Sequence, residues 1–244
     1  MDIQLIIYFI LVLFAAFFIY SFVGFGAGLV AIPLLLIFMP AKTVIPVGIA
    51  ITLINGLFLI CQGWGYIQWK HVRRLLLGGL VGVPIGVSCL KFLPSQVIVL
   101  SVNICIFIFA CLYLSKVKPK LKHEHPIIES ATGLASGILS GGCGVGGPPI
   151  VMYGILRGWR KDAFRSTMLI YFVGLGVWSN LSLVLFKMHS TETIRLILIA
   201  VIPSLFASWL GVRLKKKASE DVFRRVVLIV IVVTSLIGIV RQLV

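Results

Sequence analysis

The sequence has 244 residues, of which 60% are hydrophobic and 12% charged, and a formal net charge of +15. These fractions leave too little polar surface for a soluble domain and indicate a polytopic helical membrane protein. The apolar runs are continuous rather than alternating, which excludes a transmembrane β-barrel. The basic residues lie between the runs or at their ends, which favours a topology signal and anionic lipid heads over nucleic-acid binding.

Five cysteines lie within the apolar runs, and none of them belongs to a C-x-x-C pair. This placement predicts free thiols that pack as small hydrophobic side chains, with Cys143 as the exception beside a candidate site. The N-terminal apolar run has no preceding basic stretch and no small-residue cleavage site after it. We therefore expect a retained membrane segment there rather than a signal peptide.

Ten apolar segments can be recognised, five on each side of a basic linker at 116–126. The first set comprises 3–22, 24–38, 43–63, 73–93 and 95–115, and the second comprises 127–141, 145–157, 166–186, 193–212 and 222–241. Most segments approach the roughly 20 residues that cross the hydrocarbon core as a helix. Three of them are shorter and adjoin glycines, so we expect half-helices or a tight hairpin at 24–38, 127–141 and 145–157.

Matching glycine-rich breaks in the two sets indicate an internal repeat. The first break, residues 24–28, reads Gly-Phe-Gly-Ala-Gly, and the second break, residues 142–149, reads Gly-Cys-Gly-Val-Gly-Gly-Pro-Pro. Pro84 and Pro203 also fall at nearly equivalent positions. We therefore predict an all-α polytopic membrane protein with two membrane repeats, 1–115 and 127–244, although a coincidence of glycines is the alternative.

The basic residues predict the sidedness of the chain. Loops 64–74, 116–126, 157–165 and 213–225 hold 17 of the 22 Lys and Arg residues, so the positive-inside rule assigns these loops to the cytoplasm and both termini to the other side. The second break must then enter the membrane and return. Each repeat becomes a glycine-broken helical pair followed by three transmembrane helices, and the two repeats are inverted, as in many secondary transporters.

Breaks at corresponding positions of inverted repeats point to a transporter binding site. Glycines leave backbone N–H groups bare and permit left-handed angles, and a double proline suits the first turn of a helix. Free N–H groups and the positive end of a helix dipole attract an anion. The alternative is that the glycines only permit close helix packing. The substrate-binding residues predicted at the breaks are Gly26, Gly28, Cys143, Gly144, Gly146 and Gly147.

Polar side chains in the spans supply four further candidates for substrate binding. Asn55 and Asn180 occupy matching spans, where they could donate to substrate oxygens or form interhelical hydrogen bonds. Arg165 and Thr167 open segment 166–186 beside the second break. The guanidinium there could bind an oxyanion in bidentate fashion, or serve only as a positive-inside residue.

Ionisable side chains are nearly absent from the apolar segments, which argues against a proton relay built on buried carboxylates. Asp162, the acid nearest the core, is expected to pair with a neighbouring basic residue. All four histidines are assigned to loops, so the spans offer no histidine ligand for a metal and no base for Ser140 or Cys143. We therefore expect no catalytic residues, no metal site and no cofactor.

The two breaks and their surroundings resemble the TauE/SafE family of membrane transporters, the sulfite exporter or sulfonate permease group. The resemblance is carried by Gly-Phe-Gly-Ala-Gly-Leu-Val-Ala-Ile-Pro-Leu-Leu from residue 24 and Ser-Gly-Gly-Cys-Gly-Val-Gly-Gly-Pro-Pro-Ile from residue 140, together with the length and the linker. It implies transport of a small sulfur-containing anion across a prokaryotic inner membrane. Cys143 and the Pro148-Pro149 pair depart from the family pattern, which bears on the substrate.

The combined expectation is a secondary transporter that moves a small anion, sulfite or an organosulfonate, by alternating access. An inside-negative potential favours exit of one negative charge by about 2.3 kcal/mol per 100 mV, so export needs no coupling ion and is favoured over uptake. The expected partners are the anionic substrate and the lipid bilayer, without nucleic acid, and a homo-oligomer is left open. A passive anion channel and a membrane scaffold protein are the alternatives.

Overall fold

A computed structural model of the chain describes residues 3–61, 66–114 and 125–214, and these residues form nine α-helices. In chain order the helices are α1 Ile3–Val23, α2 Ala27–Leu35, α3 Ala41–Ile60, α4 Trp69–Phe92, α5 Ser95–Leu114, α6 Pro126–Cys143, α7 Gly147–Leu156, α8 Lys161–Leu185 and α9 Thr191–Leu214. Segment 222–241 and most of the linker at 116–126 lie outside the described residues.

The helix lengths confirm the prediction of an all-helical polytopic membrane protein. In the described part of the chain α1, α3, α4, α8 and α9 are long and apolar enough to span a membrane. The helices after the breaks are short, because α2 has 9 residues and α7 has 10. At 1.5 Å per residue each reaches about half of the roughly 30 Å hydrocarbon core. α6 has 18 residues and is longer than the half-helix expected there.

The interior of the bundle is mainly apolar but also holds polar side chains, and large apolar side chains cover the outside, as a lipid environment requires. Large apolar side chains are exposed on the outer helices, for example Leu11 at 62% and Ile202 at 77%. Fully buried polar residues include Ser21, Asn55, Ser136, Thr167, Ser179, Ser182, Ser204 and Ser208. Some of these groups join helices, as Asn55 of α3 does with Ser204 and Ser208 of α9.

Glycines at every fourth position bring α4 and α6 into close backbone contact. A Cβ on Gly78 would overlap the carbonyl oxygen of Ser130, and one on Gly133 would overlap that of Leu75. Such small-xxx-small faces let helix backbones approach closely in membranes. The glycines of this contact are Gly78, Gly82 and Gly86 on α4 and Gly133, Gly137 and Gly141 on α6.

The remaining long helices pack around a central pair, α3 and α8. α9 packs against α1 and α3, while α4 packs against α6 and α8. The two short helices lie beside their predecessors, α2 against α1 and α7 against α6. This arrangement brings the first and the second break together inside the bundle.

Candidate functional site

Left-handed glycines shape both breaks, as the sequence predicted. In the first break Gly24 has φ 84° and Gly26 has φ 96°, and α2 begins directly afterwards at Ala27. In the second break Gly144 has φ 67° and ends α6. Residues with a Cβ rarely adopt these angles, so glycine is needed at these three positions. The first break was predicted to end at residue 28, but α2 already begins at Ala27, so Gly28 lies inside the helix.

The two breaks touch each other through their backbones. A Cβ on Gly28 would overlap the carbonyl oxygen of Gly144, and a Cβ on Gly144 would overlap the Cδ1 atom of Ile32. Gly28 and Gly144 therefore belong to the predicted site and also permit close packing between the breaks. Close packing alone describes the glycines that join α4 and α6.

The second break leads into α7 as the double proline predicted. Pro148 and Pro149 occupy the first turn of α7, where their missing N–H groups cost no helical hydrogen bond. The Ser136 hydroxyl of α6 donates to the carbonyl oxygen of Gly146 at 2.6 Å and fixes the break. No side chain caps the start of α2 or α7 in the described part of the chain.

A cavity of about 50 Å³ lies where the breaks cross. This volume exceeds the roughly 10–15 Å³ that a single water molecule needs, so the cavity has room for a small group. Residues 26–29 and 144–147 form much of its wall, and no charged side chain lines it among the described residues. The rest of the wall consists of Tyr20, Phe25, Ile49, Thr52, Ser140, Phe172 and Gly176.

Arg165 contacts the first break rather than the second, which it follows in sequence. Its Nη2 atom donates to the carbonyl oxygen of Ser21 at 3.1 Å. Its side chain lies against Gly24, where an added Cβ would be 2.8 Å from the Cγ atom of Arg165. The guanidinium thus places a positive charge next to the first break without lining the cavity.

Asn55 lies outside the cavity, and its amide is engaged with α9. Its Nδ2 atom donates to the Ser204 hydroxyl at 3.0 Å and to the carbonyl oxygen of Ile51 at 3.0 Å. The Ser208 hydroxyl donates to Asn55 Oδ1 at 2.7 Å. These contacts favour the interhelical alternative for Asn55.

The other three candidates also lie away from the lining of the cavity. Thr167 is fully buried and accepts a hydrogen bond from the backbone N–H of Gln68 at 3.1 Å. Asn180 donates to the carbonyl oxygen of Gly176 in its own helix at 2.8 Å. Cys143 is buried as the last residue of α6 and is not among the lining residues.

A buried carboxylate that was not predicted, Glu129, lies within the predicted segment 127–141. Glu129 has no exposed surface, and the expectation of no buried carboxylate is therefore wrong. The assignment of every histidine to a loop is also wrong, because His71 is buried in the first turn of α4. Asp162, by contrast, is exposed at the start of α8. The described residues contain no group of three or more His, Cys, Asp or Glu side chains that could hold a metal ion.

The long apolar helices and the two helix breaks that share a cavity define a polytopic membrane protein of the broken-helix kind. A family model described as "Sulfite exporter TauE/SafE" matches residues 8–237. The chain therefore belongs to the TauE/SafE family of sulfite-exporter-type membrane transporters, as the resemblance of its breaks predicted. No curated protein and no solved structure matches the chain.

Proposed function

We propose that the protein is a secondary transporter that moves a small sulfur oxyanion through the cavity at the two breaks by alternating access. The observation that carries the proposal is the direct contact of Gly28 with Gly144, since it joins one break from each predicted repeat around a shared cavity. Broken helices that meet in the middle of a bundle are the usual site of substrate in such transporters.

The pattern of helix contacts supports a two-fold repeat in which α1 to α4 correspond to α6 to α9, and the basic loops predict that the repeat is inverted. Under this correspondence the pair α1–α9 maps to α6–α4, and α3–α9 maps to α8–α4. The pair α3–α8 maps to itself, and α1–α2 maps to α6–α7. Interior prolines lie in α4 at Pro84 and in α9 at Pro203. A two-fold relation between repeats would let one half rock against the other around the breaks.

We propose sulfite as the substrate, because the family model that matches the chain is described as a sulfite exporter. The proposed binding groups are the backbones of Gly26, Gly28, Gly146 and Gly147 at the starts of α2 and α7, which present helix N-termini to an anion. Gly144 instead caps the C-terminus of α6, and its N–H donates to the carbonyl oxygen of Ser140 at 2.9 Å. We assign Arg165 the role of attracting the anion toward the first break.

We propose export across the inner membrane, with both termini outside the cytoplasm. The inside-negative potential favours exit of a lone negative charge by about 2.3 kcal/mol per 100 mV. The buried Glu129 removes the other support for uncoupled export, which was the expected absence of carboxylates in the spans.

Reconstitution into proteoliposomes tests the proposal. We expect saturable sulfite flux that responds to an imposed membrane potential, is inhibited by thiosulfate, and is much larger than the flux of sulfoacetate or taurine. A current that does not saturate with sulfite would indicate an anion channel instead. Absence of flux for all four compounds, with folded protein in the vesicles, would indicate a scaffold and refute transport.

A further inference from the structure

Three residues with side-chain hydroxyls line the cavity at the two breaks, and they come from three different helices. Tyr20 belongs to α1, Thr52 to α3 and Ser140 to α6. Among the described residues, the rest of the cavity wall consists of glycines and apolar side chains. Any polar side-chain contact that this wall offers to an occupant of the cavity therefore comes from these hydroxyls.

The hydroxyls of Tyr20 and Thr52 form no hydrogen bond within the part of the chain that the structure describes. Tyr20 is nevertheless only 1% exposed. Burial of a hydroxyl without a partner is unfavourable, and native proteins leave few such groups unsatisfied. Since both residues line the cavity, the cavity is the space in which the missing acceptors would lie.

The Tyr20 hydroxyl lies beside the face of α3 that carries Thr52. A Cβ added to Gly56 of α3 would be 3.4 Å from the Tyr20 hydroxyl oxygen. Gly56 follows Thr52 by four residues, and side chains at this spacing share a helix face at about 5–6 Å from each other. A hydroxyl donates to an oxyanion across about 2.5–2.7 Å. One small oxyanion between Tyr20 and Thr52 can therefore accept from both hydroxyls.

Ser140 contributes the third hydroxyl from the helix that leads into the second break. Its Oγ atom lies 3.5 Å from the Oγ atom of Ser179 on α8, which is at the outer limit of a hydrogen bond. A contact of this length is readily exchanged for a stronger bond to a charged acceptor. The backbone of Ser140 is held in place, because its carbonyl oxygen accepts from the N–H of Gly144 at 2.9 Å.

Hydroxyls on several helices suit an anion that presents several acceptor oxygens in different directions, as a sulfur oxyanion does and a halide ion does not. We propose that the hydroxyls of Tyr20, Thr52 and Ser140 donate to the oxygens of the transported sulfur oxyanion and select it over a halide ion. The site then combines donors from both predicted repeats with the helix starts at the breaks. This assignment rests on the proposed transport function.

Thermal unfolding of the full-length protein in detergent tests the site without any transport assay. Sulfite should raise the unfolding temperature, and chloride at the same ionic strength should not. Tyr20→Phe and Thr52→Val should each raise the sulfite concentration that gives half of the increase by about tenfold or more, because a hydrogen bond to a charged group is lost. Unchanged sulfite affinity in both variants, no stabilisation by sulfite, or equal stabilisation by chloride overturns the proposal.

Two control variants separate a substrate ligand from a structural hydroxyl. Tyr8→Phe removes a hydroxyl that donates to the carbonyl oxygen of Leu34 at 2.8 Å, so it should lower the unfolding temperature and leave sulfite affinity unchanged. Tyr20→Phe should show the opposite pattern. Thr52→Ser keeps the hydroxyl and should bind sulfite within about threefold of the unsubstituted protein. If Thr52→Ser binds as weakly as Thr52→Val, packing is the cause and the role of Thr52 is refuted.

Flux measurements in proteoliposomes connect the site to transport. Tyr20→Phe and Thr52→Val should raise the KM for sulfite by about tenfold or more and leave kcat within about twofold, as expected for lost binding contacts. An unchanged KM in both variants refutes the assignment. No flux of any sulfur anion, with sulfite binding that the two variants weaken, refutes the transport function and leaves the binding site standing.

Discussion

The two broken helical pairs, α1–α2 and α6–α7, share an architecture but differ in the chemistry that ties their short helices down. In the first pair a neutral hydroxyl of Tyr8 bonds to the backbone of Leu34. In the second pair the Tyr153 hydroxyl bonds to the carboxylate of Glu129. The first contact is therefore between neutral groups, whereas the second involves a carboxylate that also contacts His71 and Arg74.

The two breaks also differ in their left-handed glycines, in their prolines and in the polar groups beside them. The first break uses two left-handed glycines, has no proline and lies against the guanidinium of Arg165. The second break uses a single left-handed glycine, Gly144, and is fixed by Ser136 and the following prolines. In the proposed function, the first break attracts the anion through Arg165, and the second provides the rigid start of α7 beside it.

The largest expected effect comes from filling the contact between the breaks. Gly144→Val should abolish sulfite flux, because its Cβ would overlap Ile32 and a β-branched residue is strained at φ 67°. Gly48→Ala is the control, since its Cβ would meet the same Ile32 side chain at 3.6 Å, an ordinary contact. The measurement is flux per inserted, monodisperse protein. Normal flux in Gly144→Val would exclude a site at the crossing.

Gly28→Ala tests the same contact from the first repeat and should reduce flux by about tenfold or more. The added methyl would overlap the backbone carbonyl of Gly144, which cannot rotate away as a side chain can. Its φ is not left-handed, so the effect reports steric overlap alone. If Gly28→Ala transports normally while Gly144→Val does not, backbone strain at Gly144 and not the contact between the breaks is the cause.

Substitution of Arg165 separates attraction from translocation. Arg165→Gln should raise the KM for sulfite several-fold and leave kcat within about twofold, because the guanidinium lies beside the first break but outside the cavity wall. The increase in KM should shrink at high salt. Arg213→Gln, an exposed arginine stacked on Trp209, serves as the control. An unchanged KM would leave Arg165 a purely structural role.

The smallest effect is expected from the two asparagines, and it should be unequal. Asn55→Ala removes hydrogen bonds to two α9 serines and should cost about 1 kcal/mol in unfolding free energy. Asn180→Ala should cost less, because its amide bonds to its own helix. Unfolding in mixed detergent micelles measures both. A changed KM with unchanged stability in Asn55→Ala would restore the substrate-binding interpretation.

The sequence by itself determined the helices, the positions of the breaks and the family. Hydrophobic runs specify spans because no other structure satisfies the backbone in lipid. The left-handed glycines and Pro148-Pro149 act locally, so the break geometry and the start of α7 could be predicted from short stretches. Segments 116–126 and 222–241 remain predictions, as does the topology.

Only the tertiary structure decided which side chains meet. Arg165 contacts the first break although it follows the second in sequence, and Asn55 bonds to serines on α9. Glu129 contacts His71 and Tyr153, which come from two other helices. Such partners are far apart along the chain, and composition or spacing carries no information about them. Local preferences therefore specify the elements, and long-range packing decides which side chains meet at the breaks and between helices.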